Sequence, residues 1–143
     1  MEDAQAIELL KKGEYGVLST TGANGYAYAV PLSYAYLDNA IYFHCATEGQ
    51  KLYNIKINDK ISFCVVGETE VIPDKFTTKF ESVIVFGRAV IVDNEEKQDG
   101  LMALVDKYSK DFLDKGKAYV NSGMNKTTVF KIIIEHFTGK CRY

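Results

Sequence analysis

The sequence predicts a mainly-β (α+β) domain of six antiparallel strands with peripheral helices. Three observations carry that expectation. Ten Tyr and eight Phe fall largely in short apolar runs, and aromatic and β-branched residues suit a pleated, half-buried surface. Asn24-Gly25 and Asp38-Asn39 separate the first three runs; Asn-Gly is the strongest short hairpin signal. The chain has 143 residues, which fits one domain, residues 1–143, because domains commonly run to about 100–150 residues.

The elements follow in order. Asp3 to Lys12 places Ala6, Ile7, Leu9 and Leu10 on one helical face, and Gly13 supplies the stop. Tyr15–Thr21, Tyr26 to Leu37 and Ala40–Cys45 form a three-stranded meander. Pro31 lies inside the second of these runs; it cannot donate a ladder hydrogen bond, so it belongs at an edge or a bulge. Thr47 and Gln50 have capping-box spacing, with Thr47 as N-cap, opening a short helix that runs to Asn58. Lys60–Val66 is the fourth strand, and Gly67 to Lys79 is a polar, irregular connection. Phe80–Asp93 is the fifth strand, with a bulge or bend at Gly87. Glu95–Tyr108 is a helix, Asp111 to Met124 a second one broken at Gly116, and Thr128–Glu135 the sixth strand. An antiparallel sheet of this size tends to remove its edges by closing into a barrel.

Composition narrows the function. Hydrophobic residues make up 47% and charged residues 25%, near the soluble globular average. The formal net charge is −2 and the basic residues are scattered, which argues against a nucleic-acid binder. Cys45, Cys64 and Cys141 make an odd count without a CxxC, so no disulfide framework or zinc knuckle is expected. Cys45 and Cys64 sit in strand runs, where a reduced Cys acts as a small core hydrophobe. The N-terminus has no long apolar stretch, and no run approaches the ~20 residues of a membrane span. The expected location is the cytoplasm.

The fingerprints for Rossmann dinucleotide binding, the P-loop, the nucleophile elbow and HExxH are absent. With only His44 and His136, a His-rich metal site is not expected. The informative stretch is Tyr42–Lys51, a strand leading into a helix start. A helix start presents unpaired N–H groups and partial positive charge. Gly49 allows close approach to the backbone, and Lys51 adds a full charge where an isolated cation costs about 0.3–1 kcal/mol. Two readings stand: an anion site suited to phosphate, or an ordinary capped helix with a solvated Lys. His44 has two readings as well, a ligand contact or proton-transfer group and a satisfied barrel residue. His136 is equally uncommitted.

Four segments in order, GVLSTTGANGYAYAVPLSYAY, IYFHCATEGQKLYNI, ISFCVVGETEVIPDKFTTKFESVIVFGRA and IIIEHFTGKCRY, resemble the FMN-binding split-barrel superfamily related to pyridoxamine 5′-phosphate oxidase. Within it the likeness is to nitroimidazole-resistance-type flavoproteins. The resemblance implies a six-stranded antiparallel split β-barrel that binds FMN at the interface of a homodimer. It implies that Val30, Pro31, Leu32 and Ser33 line the flavin ring, and that His44, Cys45 and Ala46 border the ribityl chain and phosphate. Gln50 and Lys51 would clamp the phosphate, Ser82 would reach the partner's flavin, and Phe137 would cover the ring. Relatives often carry Trp where this chain has Phe137, which removes an indole N–H donor. The second basic residue of the pyridoxamine-phosphate substrate site has no counterpart, so that oxidation is not the expected reaction. The implied function is an FMN-dependent oxidoreductase acting on a small molecule, with His44 as the candidate catalytic residue. The rival is a non-catalytic flavin- or haem-binding or sensing protein of the same barrel.

Overall fold

The computed structural model describes residues 1–143. Seven strands form one antiparallel sheet: β1 Gly16–Thr21, β2 Ala27–Leu32, β3 Ala35–Leu37, β4 Ala40–Cys45, β5 Lys60–Ile72, β6 Thr77–Val92 and β7 Thr128–Arg142. Their spatial order is β2-β1-β5-β6-β7-β4-β3. The two edge strands, β2 and β3, are consecutive in the chain and separated only by Ser33 and Tyr34. So short a link brings the two edges of the sheet close together, and the sheet curls.

The strand count corrects the expected six to seven. The run from Tyr26 to Leu37 is not one strand. Tyr34 turns fully inward, its ring edge-on to Phe63 with centroids 5.0 Å apart, and its hydroxyl donates to the Leu10 carbonyl at 2.6 Å. Burying that side chain breaks the extended run into β2 and β3.

The turn chemistry holds. Asp38 and Asn39 both have positive φ, 49° and 63°, as a two-residue type I′ hairpin requires. Pro31 lies on the edge strand β2 opposite Val17, where its missing N–H leaves no ladder partner unsatisfied. The β6–β7 register shifts between Phe86 and Gly87. A Cβ at Gly87 would sit 2.1 Å from the Ile133 carbonyl oxygen, so the bulge admits only glycine without backbone movement.

Four helices accompany the sheet: α1 Asp3–Lys12, α2 Gln50–Ile57, α3 Asn94–Tyr108 and α4 Leu113–Gly123. α4 is continuous, not broken at Gly116. That glycine is the point of close approach to α3, where a Cβ would lie 2.3 Å from a Val105 methyl. The segment read as an irregular connection, residues 67–79, is largely a ribbon. β5 and β6 remain paired to Ile72 and Thr77 around a 3₁₀ turn at Pro73–Lys75. β7 likewise runs past Glu135 to Arg142 on β6.

The buried side chains form two cores. The larger has 17 buried residues and fills the curl of the sheet, with Leu18, Phe43, Phe63, Val85 and Ile132 at its centre under α1. The smaller has 8 and lies between β4, β7 and the α3–α4 pair. No helix is long and apolar enough to cross a membrane.

Candidate functional site

The stretch from β4 into α2 folds as a strand followed by a helix start, but the cap differs from the one expected. Thr47 is not the N-cap. Gly49 holds that place with φ +150°, and no side chain caps α2. The reason is backbone geometry, because a conformation that side-chain-bearing residues rarely adopt takes the chain into the helix. A Cβ at Gly49 would have nothing within 4 Å, so its outer side is open.

Gln50 and Lys51 begin α2. The Gln50 amide donates to Asn54 Oδ1 at 2.7 Å, and the fully buried Asn54 donates to Thr20 Oγ1 at 3.0 Å. This polar chain ties the first turn of α2 to β1. Lys51 takes part in none of the five ion pairs of the chain, so its ammonium is available to an anion.

Alternation along β4 separates two environments. Phe43 and Cys45 point into the larger core, and Tyr42 points toward α3. Burial pushes the Cys45 thiol up, which keeps it a neutral packing group. His44, open to solvent, lines a groove against the helices. Partial burial, and secondarily the charge of Lys51, hold its pKa below the ordinary histidine value of 6.5. Its imidazole is therefore neutral at pH 7 and can both donate and accept a hydrogen bond.

That groove has a volume of about 1030 Å³ and runs from Ser33, His44, Cys45 and Ala46 along α3 and α4. It brings four of the eleven sequence-predicted site residues to one place. Gln50 and Lys51 lie outside its lining at the start of α2. Val30, Pro31 and Leu32 lie on β2, whose outer edge has no strand partner, so its backbone groups on that side are free to meet a ligand. Val30 and Leu32 pack partly on the larger core. Ser82 pairs with Val66 and Lys140, half-exposed and alternating with the inward Val83. Phe137 is half-buried against the larger core. His136 stacks on Phe86 at 4.6 Å and 14°, on the outer face of the sheet and away from the groove. Cys64 is half-buried rather than a core residue; it pairs with Val17 and Ile84.

Sequence reasoning missed the helical wall of the groove and the group that anchors it. The Tyr108 hydroxyl donates to the Glu14 carbonyl at 2.5 Å, and accepts from the Tyr34 N–H at 3.1 Å. Lys107 Nζ donates to the Tyr34 carbonyl at 2.9 Å and lies 3.7 Å from the centre of the Tyr34 ring. Together they tie the end of α3 to the turn after Ser33. Lys107-Tyr108 is an unremarkable dipeptide in sequence; only the inward turn of Tyr34 gives it partners.

No curated protein matches the chain. Among solved structures, a conserved hypothetical protein of Mycobacterium tuberculosis has a TM-score of 0.84 at 21% identity, covering 99% of this chain and 85% of its own. A protein described as a 5-nitroimidazole antibiotic resistance protein of Bacteroides thetaiotaomicron has 0.81 at 19% identity, covering 96% and 82%. An FAD and haem binding protein of Mycobacterium smegmatis has 0.85 at 15% identity, covering 98% and 71%. At these identities the likeness is one of fold. The family model for pyridoxamine 5′-phosphate oxidase matches residues 2–141, nearly the whole chain, and the protein belongs to that split-barrel family.

Proposed function

We propose that the chain is an FMN-binding flavoprotein and an oxidoreductase for a small molecule, of the nitroimidazole-resistance kind, with FMN at the seam of a homodimer. The observation that carries this reading is the start of α2: an unpaired Lys51 on an uncapped helix end, next to Gly49 with open space beside it. Backbone N–H groups, helix dipole and ammonium there favour a phosphate. The Gln50–Asn54–Thr20 chain fixes that turn. The free edge of β2 at Val30–Leu32 offers backbone donors and acceptors to a planar polar ring, with Ser33, Cys45 and Ala46 beside it. Ser82 faces outward, as a contact to a partner's cofactor requires, and Phe137 supplies the aromatic cover. Bound FMN would supply the redox chemistry. Neutral His44 would hold or pass a proton at its imidazole nitrogens.

The test is titration of the purified protein with FMN and with FAD, followed by visible absorbance and flavin fluorescence. FMN uptake is expected, and Lys51→Ala should weaken it by about ten- to a hundredfold, the worth of one charge-assisted hydrogen bond. No uptake of either flavin overturns the reading, and tighter FAD binding replaces the cofactor. A monomer that sediments with FMN fully bound overturns the shared site. The likeness to an FAD and haem binding protein favours a second reading, binding without turnover. A Soret band, or a bound flavin that neither NADH nor NADPH reduces, would select it.

A further inference from the structure

The groove along α3 and α4 has a chemistry of its own. Its floor is apolar, formed by Leu101, Leu104, Val105 and Val120. Three aromatic side chains, Tyr108, Phe112 and Tyr119, stand along it with 40%, 61% and 78% of their surface exposed. Exposed aromatic rings grouped around a concavity suit a flat apolar ligand.

The charge of the lining is one-sided. Of its 18 residues, Lys115 and Lys126 are the charged ones, and none is Asp or Glu. The whole chain carries a net charge of −2, so this lining departs from its surroundings. Neither lysine joins any of the five ion pairs. Lys115 lies in the first turn of α4. Asp114, in the same turn, and Asp111 stay outside the lining. Neutral His44 and the side-chain hydroxyls of Ser33, Ser109, Ser122 and Thr127 add uncharged polar groups to the wall.

We infer that this groove is the substrate chamber and that it takes an aromatic carboxylate or similar flat organic anion. The ring would lie on the α3–α4 floor among the aromatic side chains, and its acid group would face Lys115 and Lys126. This inference rests on the flavin reading only in making the occupant a substrate. Ser33, His44, Cys45 and Ala46 belong to both, so the anion would sit beside the candidate flavin residues. The candidate phosphate residues Gln50 and Lys51 are outside the groove, so the two anion sites are separate.

Calorimetric titration tests the chamber directly, with 2-naphthoate, neutral 2-naphthamide and FMN as probes. Naphthoate should bind about two- to thirtyfold tighter than naphthamide, the effect of two exposed charges. Lys115→Gln/Lys126→Gln should abolish that preference while leaving naphthamide and FMN affinities unchanged. Naphthoate should bind FMN-loaded protein without displacing the flavin. Equal affinity for acid and amide, an unaltered preference in the double variant, or displacement of FMN by naphthoate would each overturn the inference. A protein that takes up naphthoate selectively but no flavin would keep the anion site and overturn the flavin reading, so the two failures are separable.

Discussion

The two faces of β4 meet different surroundings. Ile41, Phe43 and Cys45 point into a core of 17 buried residues, held between hydrogen-bonded strands on several sides. Ala40 and Tyr42 point into a core of 8, covered by two helices with an open groove beside them. One strand thus serves a closed, self-sufficient interior and a thin, ligand-sized one. Stability belongs to the first face and adaptability to the second, since elements with few buried contacts open at lower free energy.

The comparison breaks most visibly at Phe63. Its ring is fully buried, edge-on to Tyr34, and against Gly16, where a Cβ would come within 2.2 Å of it. Phe63→Ala should lower global stability by about 3–5 kcal/mol, read as an earlier midpoint in chemical denaturation with an unchanged slope. A loss below ~1 kcal/mol would mean that the barrel interior is not the cooperative unit.

Leu104 probes the other face. It is 7% exposed, belongs to the smaller core and borders the groove, so truncation extends an existing opening rather than creating a sealed cavity. Leu104→Ala should cost about 2 kcal/mol, the low end for such a deletion. Hydrogen exchange should show the loss in the amides of α3 and α4, with β5 and β6 nearly unaltered. Equal acceleration in both regions would merge the two cores into one.

The same division explains what could be read from the sequence. Hairpins at Asn24-Gly25 and Asp38-Asn39, and the bulge at Gly87, are local events that a few residues specify, and they stand where the sequence puts them. The outer half of β5 is held by pairing with β6 more than by burial, and the outer half of β7 follows a register shift opposite Gly87 that leaves Glu135 out of the ladder and interrupts the alternation. Glu68 and Glu70 leave no apolar alternation to detect in β5 beyond Val66. Gly116 was misread because a glycine needed for close helix approach looks like a helix breaker until its neighbour, Val105, is known. The start of α2 was legible as a strand-to-helix junction, although its N-cap is Gly49 and not Thr47. The groove was not legible: Ser33, His44, Tyr108, Lys115 and Lys126 come from distant parts of the chain, and no spacing connects them.

The smallest expected effect lies where the two regions are tied together, at Lys107. Its ammonium sits on the Tyr34 ring and carbonyl, and burial brings its pKa from 10.5 down to about 8. In the unfolded chain the amine keeps its proton to about pH 10.5; in the folded protein it gives it up near 8. Between these values the unfolded chain binds more protons, so the Lys107 contribution makes stability rise with pH. Burial raises the pKa values of Cys45, Cys64 and Tyr34. Those groups act in the opposite sense, since the folded state keeps their protons longer, and stability from them falls as pH passes about 9 for the thiols and 10 for the phenol. The quantity to measure is therefore the difference between wild type and Lys107→Met, in which these groups cancel. Unfolding free energies at pH 7.5 and at pH 10 should show wild type gaining on the variant as pH rises. The gain should be modest, because Lys107 is only half-buried and water screens its charge. A difference that stays flat over that range would show that the ammonium is no more costly in the fold than in water.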